Sequence, residues 1–178
     1  MNIKSLSSLV ALCAALFLAL PAPAAVTPPD PVQPAVESVY AAGTFAASPF
    51  VSYRVHELGK FNGKLGAGLA LSYFAADNVA VELETLSEQF DDSHWADAFT
   101  EAGVNFKGYL PLGRSGFAPY LLVGYTRNLR IDENRMNAGA GVEWRATKRF
   151  GIFADGRWTH DFATLGHALF RLGGNVSF

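Results

Sequence analysis

The sequence predicts an all-β fold: an eight-stranded antiparallel up-and-down transmembrane β-barrel with a closed polar lumen. Three observations predict it. From about residue 47 to Phe178 the dominant hydrophobic period is two, the period of a strand with one apolar face. Tight turns alternate along the chain with longer polar connections. The second face of the strands is sparse and balanced in charge, as a closed interior requires.

Composition narrows the alternatives. Half of the 178 residues are hydrophobic, 13% are aromatic and 17 are glycine, while charged residues reach only 17%. That balance excludes an acidic disordered tail, a coiled coil and a collagen-like chain. The net charge of −2 carries no basic block, so nucleic acid finds no electrostatic footprint. Beyond residue 25 no apolar run approaches the ~20 residues of a spanning helix.

Residues 1–24 read as a cleaved secretory signal. Lys4 supplies the positive n-region, Leu9 to Leu20 the apolar stretch, and Ala22-Pro23-Ala24 an A-x-A cleavage site. Cys13, the only cysteine, lies inside this leader, so the mature chain has neither a disulfide framework nor a thiolate site. Residues 25–46 hold Pro28, Pro29, Pro31 and Pro34, then Ala41-Ala42-Gly43. They read as an extended lead-in with no packing signal of its own.

The barrel is expected over 47–178. Five strands declare both faces. Val79, Val81, Leu83 and Thr85 alternate with Ala80, Glu82, Glu84 and Leu86. Ala102, Val104, Phe106, Gly108 and Leu110 alternate with Glu101, Gly103, Asn105, Lys107 and Tyr109. Met136, Ala138, Ala140, Val142, Trp144 and Ala146 alternate with Asn137, Gly139, Gly141, Glu143, Arg145 and Thr147. Ile152, Ala154, Gly156 and Trp158 alternate with Phe153, Asp155, Arg157 and Thr159. In the last strand Ala168, Phe170, Leu172, Gly174, Val176 and Phe178 alternate with Leu169, Arg171, Gly173, Asn175 and Ser177. Segments 48–56, 65–75 and 117–128 complete the set less cleanly. The last of these is apolar on both faces around Ala118 to Tyr125, so its orientation stays open.

Asp77-Asn78, Gly113 to Gly116 and Lys148-Arg149 close three tight turns. Longer connections are expected at Glu57 to Lys64, Asp91 to Ala98, Leu129 to Arg135 and Asp161 to Gly166. Short turns at one rim and longer loops at the other, with an even strand count, are the pattern of a membrane barrel.

Which face is inside decides between a soluble and a membrane barrel. Glu82, Glu84, Glu101, Glu143 and Asp155 stand against Arg54, Lys107, Arg145, Arg157 and Arg171. Equal numbers of acids and bases suit a closed lumen, where an unpaired charge is costly. Aromatics near strand ends read as two interfacial girdles: Phe50, Tyr73, Trp144, Phe150 and Phe178 at one rim, Phe99, Trp158 and Phe162 toward the other. The glycines form no phosphate-binding fingerprint and instead make room for bulky lumen side chains.

These segments also carry a resemblance. Gly66 to Phe74 followed by Asp77-Asn78-Val79-Ala80-Val81-Glu82 resembles the second hairpin of OmpA-like outer-membrane barrels. Pro119-Tyr120 with Gly124-Tyr125, and Ala138 to Trp144 leading to Phe153-Ala154-Asp155-Gly156-Arg157-Trp158, resemble the same group. That group includes the opacity-protein and OmpX-like proteins. Val176-Ser177-Phe178 is similar to the terminal-aromatic signal read by the barrel-assembly machinery. The resemblance covers about residues 48–178. It includes no periplasmic peptidoglycan-binding domain, and the outer loops are shorter than in the adhesin and invasin members. It implies a cell outer membrane of the Gram-negative type, and a lead-in at 25–46 on the periplasmic side.

No catalytic, cofactor-binding or metal-binding residue is expected. The histidines His56, His94, His160 and His167 fall at strand ends or in loops. His160 with Asp161 and His167 could face one another across the last loop, but a hydrolase needs a nucleophile beside such a base. Outer-membrane lipid A deacylases carry a His-x-Ser pair, and none of these four histidines has serine two positions on. Asp91, Asp92, His94 and Asp97 offer oxygen ligands but read as a solvated acidic loop. The expected function is a structural, envelope-integrity or surface-interaction role without catalysis. Expected partners are outer-membrane lipid and lipopolysaccharide, and the barrel-assembly machinery through Phe178; the chain is expected to be a monomer and to bind no nucleic acid. A narrow porin-like channel is the alternative. A soluble periplasmic lipocalin-like carrier is a further one, and the charged inner face argues against it.

Overall fold

A computed structural model describes residues 40–55, 63–87, 100–112, 115–161 and 166–178. The expected leader at 1–24 and the expected lead-in up to residue 39 lie outside them. The described residues form strands β1 (Phe45–Val55), β2 (Lys64–Ala76), β3 (Val79–Ser87) and β4 (Glu101–Tyr109). They continue with β5 (Phe117–Asn128), β6 (Glu133–Arg145), β7 (Phe150–Asp161) and β8 (His167–Ser177). Each strand pairs antiparallel with the next, and β8 pairs with β1 to close the barrel. The seam is locked at its end by a reciprocal pair of backbone bonds: Phe45 N–H donates to the Phe178 carbonyl at 3.2 Å, and Phe178 N–H to the Phe45 carbonyl at 3.0 Å. Closure gives each strand a hydrogen-bonded neighbour on both sides, so the described sheet has no open edge strand.

All five strands whose faces the sequence declares keep them. Glu82, Asn105, Lys107, Glu143, Asp155, Arg157 and Arg171 are buried inside the barrel. Val79, Leu83, Phe106, Met136, Val142, Ile152, Phe170 and Leu172 are exposed on its outer wall. An apolar outer wall around a charged interior inverts the soluble arrangement, and it does so over strands of 9 to 13 residues.

β5 resolves its ambiguity through its neighbours. Tyr120 lies opposite Tyr109 and Gly141, so Ala118, Tyr120, Leu122 and Thr126 point inward while Phe117, Leu121, Val123 and Tyr125 point out.

Three expectations need correction. The barrel begins at Phe45, inside the expected lead-in of 25–46, and Tyr40 ahead of it is buried in the core. The connection expected at Leu129 to Arg135 is a turn of four residues, 129–132, and β6 already runs from Glu133. Asn128 makes that turn possible: its side-chain oxygen accepts from the N–H groups of Arg130 (3.0 Å) and Ile131 (3.3 Å). Asp132 then closes it at φ 52°. Phe50, expected in a rim girdle, points into the lumen. Its cross-strand neighbours are Gly68 on β2 and Gly173 on β8, which leave the width an inward ring needs.

The remaining rim aromatics stand as expected where the structure describes them. Tyr73, Trp144, Phe150 and Phe178 are exposed at the turn end, joined there by Phe45 and Phe117. Phe45 sits 4.8 Å from Tyr73, and Phe117 6.1 Å from Trp144, between ring centres. Trp158 is exposed near the loop end. Phe99 and Phe162 lie outside the described residues.

Candidate functional site: the barrel lumen

The strand period sends every second residue inward, and eight converging strands stack these side chains in layers. The central layer is ionic. Glu82 and Glu84 come from β3, Lys107 from β4, Asp155 and Arg157 from β7, and Arg171 from β8. Arg171 Nε and Nη2 donate to the two Asp155 oxygens at 2.9 and 2.6 Å, while Nη1 reaches Glu84 at 2.6 Å and Glu82 at 3.2 Å. Arg157 grips Glu84 with two parallel bonds of 2.7 and 2.8 Å. Lys107 pairs with Glu82, which also accepts from Asn105 at 3.2 Å and Ser72 at 3.4 Å. Tyr120 donates its hydroxyl proton to Asp155 at 2.7 Å. Three acids thus meet three bases.

Geometry makes this layer a cross-brace. Arg157 and Arg171 stand on β7 and β8, and their carboxylate partners Glu82 and Glu84 stand on β3, across the barrel. Aromatic rings wall the cations in: the Arg171 guanidinium lies 5.0 Å from the Phe50 ring centre and 5.5 Å from Phe153, and Lys107 Nζ 5.0 Å from Tyr120. Space for these rings again comes from glycine. A Cβ at Gly141 would approach the Tyr120 ring to 2.6 Å, and one at Gly173 would meet Phe153 at the same distance.

Toward the loop end, Glu101 on β4 takes Arg54 from β1 and Arg135 from β6, each at 2.6 Å. Arg135 also reaches Glu133 at 3.0 Å. Toward the turn end, Arg145 pairs with Glu143 and donates to Ser177. Against that pair packs an aromatic cluster of Tyr40, Phe74, Tyr109 and Tyr120, with Leu122, Ala80 and Ala118 beside them. Burial, and next the nearby Glu143 carboxylate, push the Tyr40 phenol up to about 12, so it is neutral at physiological pH.

All ten charged residues assigned to the inner face from sequence lie in these layers. Arg135, Tyr40 and Tyr120 join them, beyond what the alternation alone assigns. Arg135 had a signal: it shares parity with Asn137 and continues the β6 alternation backwards. Gly124 and Thr126, the small and polar members of β5, share parity with Tyr120 and mark the inward side. Tyr40 had only its isolation, a single aromatic before a run of small residues.

No histidine pair forms across the last connection. His167 points inward opposite Thr159, whereas His160 is on the alternate, outward parity of β7. His56, His94 and the acidic cluster Asp91, Asp92 and Asp97 lie outside the described residues. Among the described residues no three His, Cys, Asp or Glu side chains gather as metal ligands. The charged side chains of the lumen pair with one another.

Comparison with known proteins agrees with that geometry. A family model described as the outer membrane protein beta-barrel domain matches residues 10–175. The N-terminal β-barrel domain of Pseudomonas aeruginosa OprF is similar in structure, with a TM-score of 0.60 and 17% identity over 77% of this chain and 98% of that one. A de novo designed transmembrane β-barrel follows, at TM-score 0.59 and 12% identity, covering 77% of this chain and 97% of the design. The outer membrane protein OprG from Pseudomonas aeruginosa has a TM-score of 0.50 and 14% identity, covering 78% and 97%. At these identities the likeness is one of fold. No curated protein sequence matches the chain significantly.

Proposed function

The chain belongs to the outer membrane protein beta-barrel family, and from that premise we propose that it is a non-conducting structural barrel of the outer membrane. Its role is to span the bilayer and brace the envelope, without catalysis. The observation that carries this reading is the ionic cross-brace from Arg157 and Arg171 to Glu82 and Glu84. A lumen of eight strands is just wide enough for its own side chains. Here those side chains are tied to one another across it.

In this reading the signal at 1–24 is removed, and both the new N-terminus and Phe178 face the periplasm. Phe178, largely exposed at the turn rim beside the β1–β8 seam, is presented to the assembly machinery. The exposed apolar wall meets outer-membrane lipid and lipopolysaccharide, and the barrel acts as a monomer.

A narrow channel is the second reading, favoured by one observation. Asn105 Oδ1, Asn137 Oδ1, Asn175 Oδ1 and Arg157 Nε are buried without a protein partner, and such atoms call for water. Conductance of the refolded protein in a planar bilayer separates the two. The structural reading expects no stable steps above the bare bilayer. A steady, concentration-dependent conductance from the unaltered protein replaces it with the channel.

A further inference from the structure

Residues 40–44 precede β1 and form no part of the barrel wall, yet Tyr40 is only 3% exposed. Four hydrogen bonds hold this short segment against the β2–β3 turn. Asn78 N–H donates to the Tyr40 carbonyl at 2.8 Å, and Gly43 N–H to the Phe74 carbonyl at 2.8 Å. Phe74 N–H donates to the Thr44 carbonyl at 2.9 Å, and Ala42 N–H to Asp77 Oδ1 at 2.9 Å. Gly43 sits at φ +87°, a backbone conformation that turns the chain there at no steric cost to glycine.

The Tyr40 ring then enters the mouth of the barrel. It stacks on Tyr109 with ring centres 4.9 Å apart and tilts against Phe74 at 5.8 Å. The Arg145 guanidinium lies 5.4 Å from the centre of the same ring. Tyr109 in turn contacts Tyr120 at 5.0 Å, so the rings run on from the mouth toward the ionic layer. We propose that residues 40–44 are a built-in stopper, with Tyr40 as its head, that closes the turn-side mouth of the lumen and keeps that compartment's water from the Glu143–Arg145 pair. The seal is made by the chain's own N-terminal segment. It is independent of the ionic cross-brace, which lies deeper.

Accessibility to a thiol reagent tests this directly, because Cys13 is the only native cysteine. In a Cys13→Ser background a single probe is placed in the turn-end lumen as Ala118→Cys or, nearly isosterically, Ser177→Cys. A second is placed toward the loop end as Thr159→Cys. The folded full chain, verified by heat-modifiable gel mobility, is treated in detergent micelles with a small charged methanethiosulfonate. The turn-end probes should react slowly, and Tyr40→Ala should speed them by about tenfold or more, as loss of a local closed state does. Tyr40→Phe, which keeps the ring, should leave them slow, and the Thr159→Cys probe should not respond to either change. Turn-end probes that react at the same rate with and without the Tyr40 ring overturn the stopper. Acceleration of the loop-end probe to the same degree also overturns it, because that marks a loosened barrel rather than an opened mouth. Neither result bears on conduction, which reads the ionic layer.

Discussion

Arg171 and Leu172 are consecutive residues of β8, and the barrel places them in opposite solvents. Arg171 is 2% exposed, with three carboxylates around its guanidinium, whereas Leu172 is 57% exposed on the outer wall. In a water-soluble protein the pair would be reversed. The difference shows how the two walls are held: the inner by mutual neutralisation, the outer by having nothing polar to satisfy. A charge inside is tolerable because each has a partner with well-aligned bonds, and breaking a partnership leaves the remainder stranded. An apolar residue outside is stable because the hydrocarbon around it asks for no hydrogen bond.

Arg171→Ala breaks the inner wall most severely. It leaves Asp155 without its cation and removes one partner from each of Glu82 and Glu84, at an expected cost of roughly 3–5 kcal/mol. Denaturant unfolding in lipid vesicles measures it. A loss below about 1 kcal/mol would mean that water already screens the layer.

Leu172→Arg attacks the outer wall one residue away. At the middle of an 11-residue strand it should cost about 2–4 kcal/mol in a bilayer. Equal stability of this variant and the parent in vesicles would remove the lipid placement of that face.

Tyr120→Phe is a finer probe of the inner wall, because it deletes one hydroxyl and keeps the ring. The bond to Asp155 is to a charged acceptor, so roughly 1.5–3 kcal/mol should be lost. The same substitution at Tyr125, exposed on the outer wall of the same strand, serves as its reference and should change little.

The smallest effect belongs to Arg127→Ala. Arg127 pairs with Asp132 beside the β5–β6 turn, but both side chains are more than half exposed, so the loss should stay under about 1 kcal/mol. If it matched Arg171→Ala, the contrast between a sealed and a solvated ion pair would fail for this protein.

The amino-acid sequence by itself determined the walls. Alternation along β3, β4, β6, β7 and β8 is a local property, since successive side chains of a strand must point to opposite faces. Five acids and four bases therefore fall on the polar faces of these strands, and the barrel turns those faces inward together with Arg54 of β1. Tertiary structure decided the rest, wherever a residue's fate depends on what lies across the ladder. β5, apolar on both faces, takes its direction from the register that sets Tyr120 between Tyr109 and Gly141. Phe50 reads as a girdle residue until Gly68 and Gly173 appear beside it and open space for its ring. Arg135 becomes part of the lumen because Asn128 and Asp132 shorten the preceding connection, bringing it to Glu101 from a strand two places away. Tyr40 is held in the barrel mouth by Asn78 of the β2–β3 turn and by the rings it meets there, with Gly43 turning the chain behind it. Local pattern sets which way a side chain points. Cross-strand register, and the space that a neighbour's missing side chain leaves, set what it meets there.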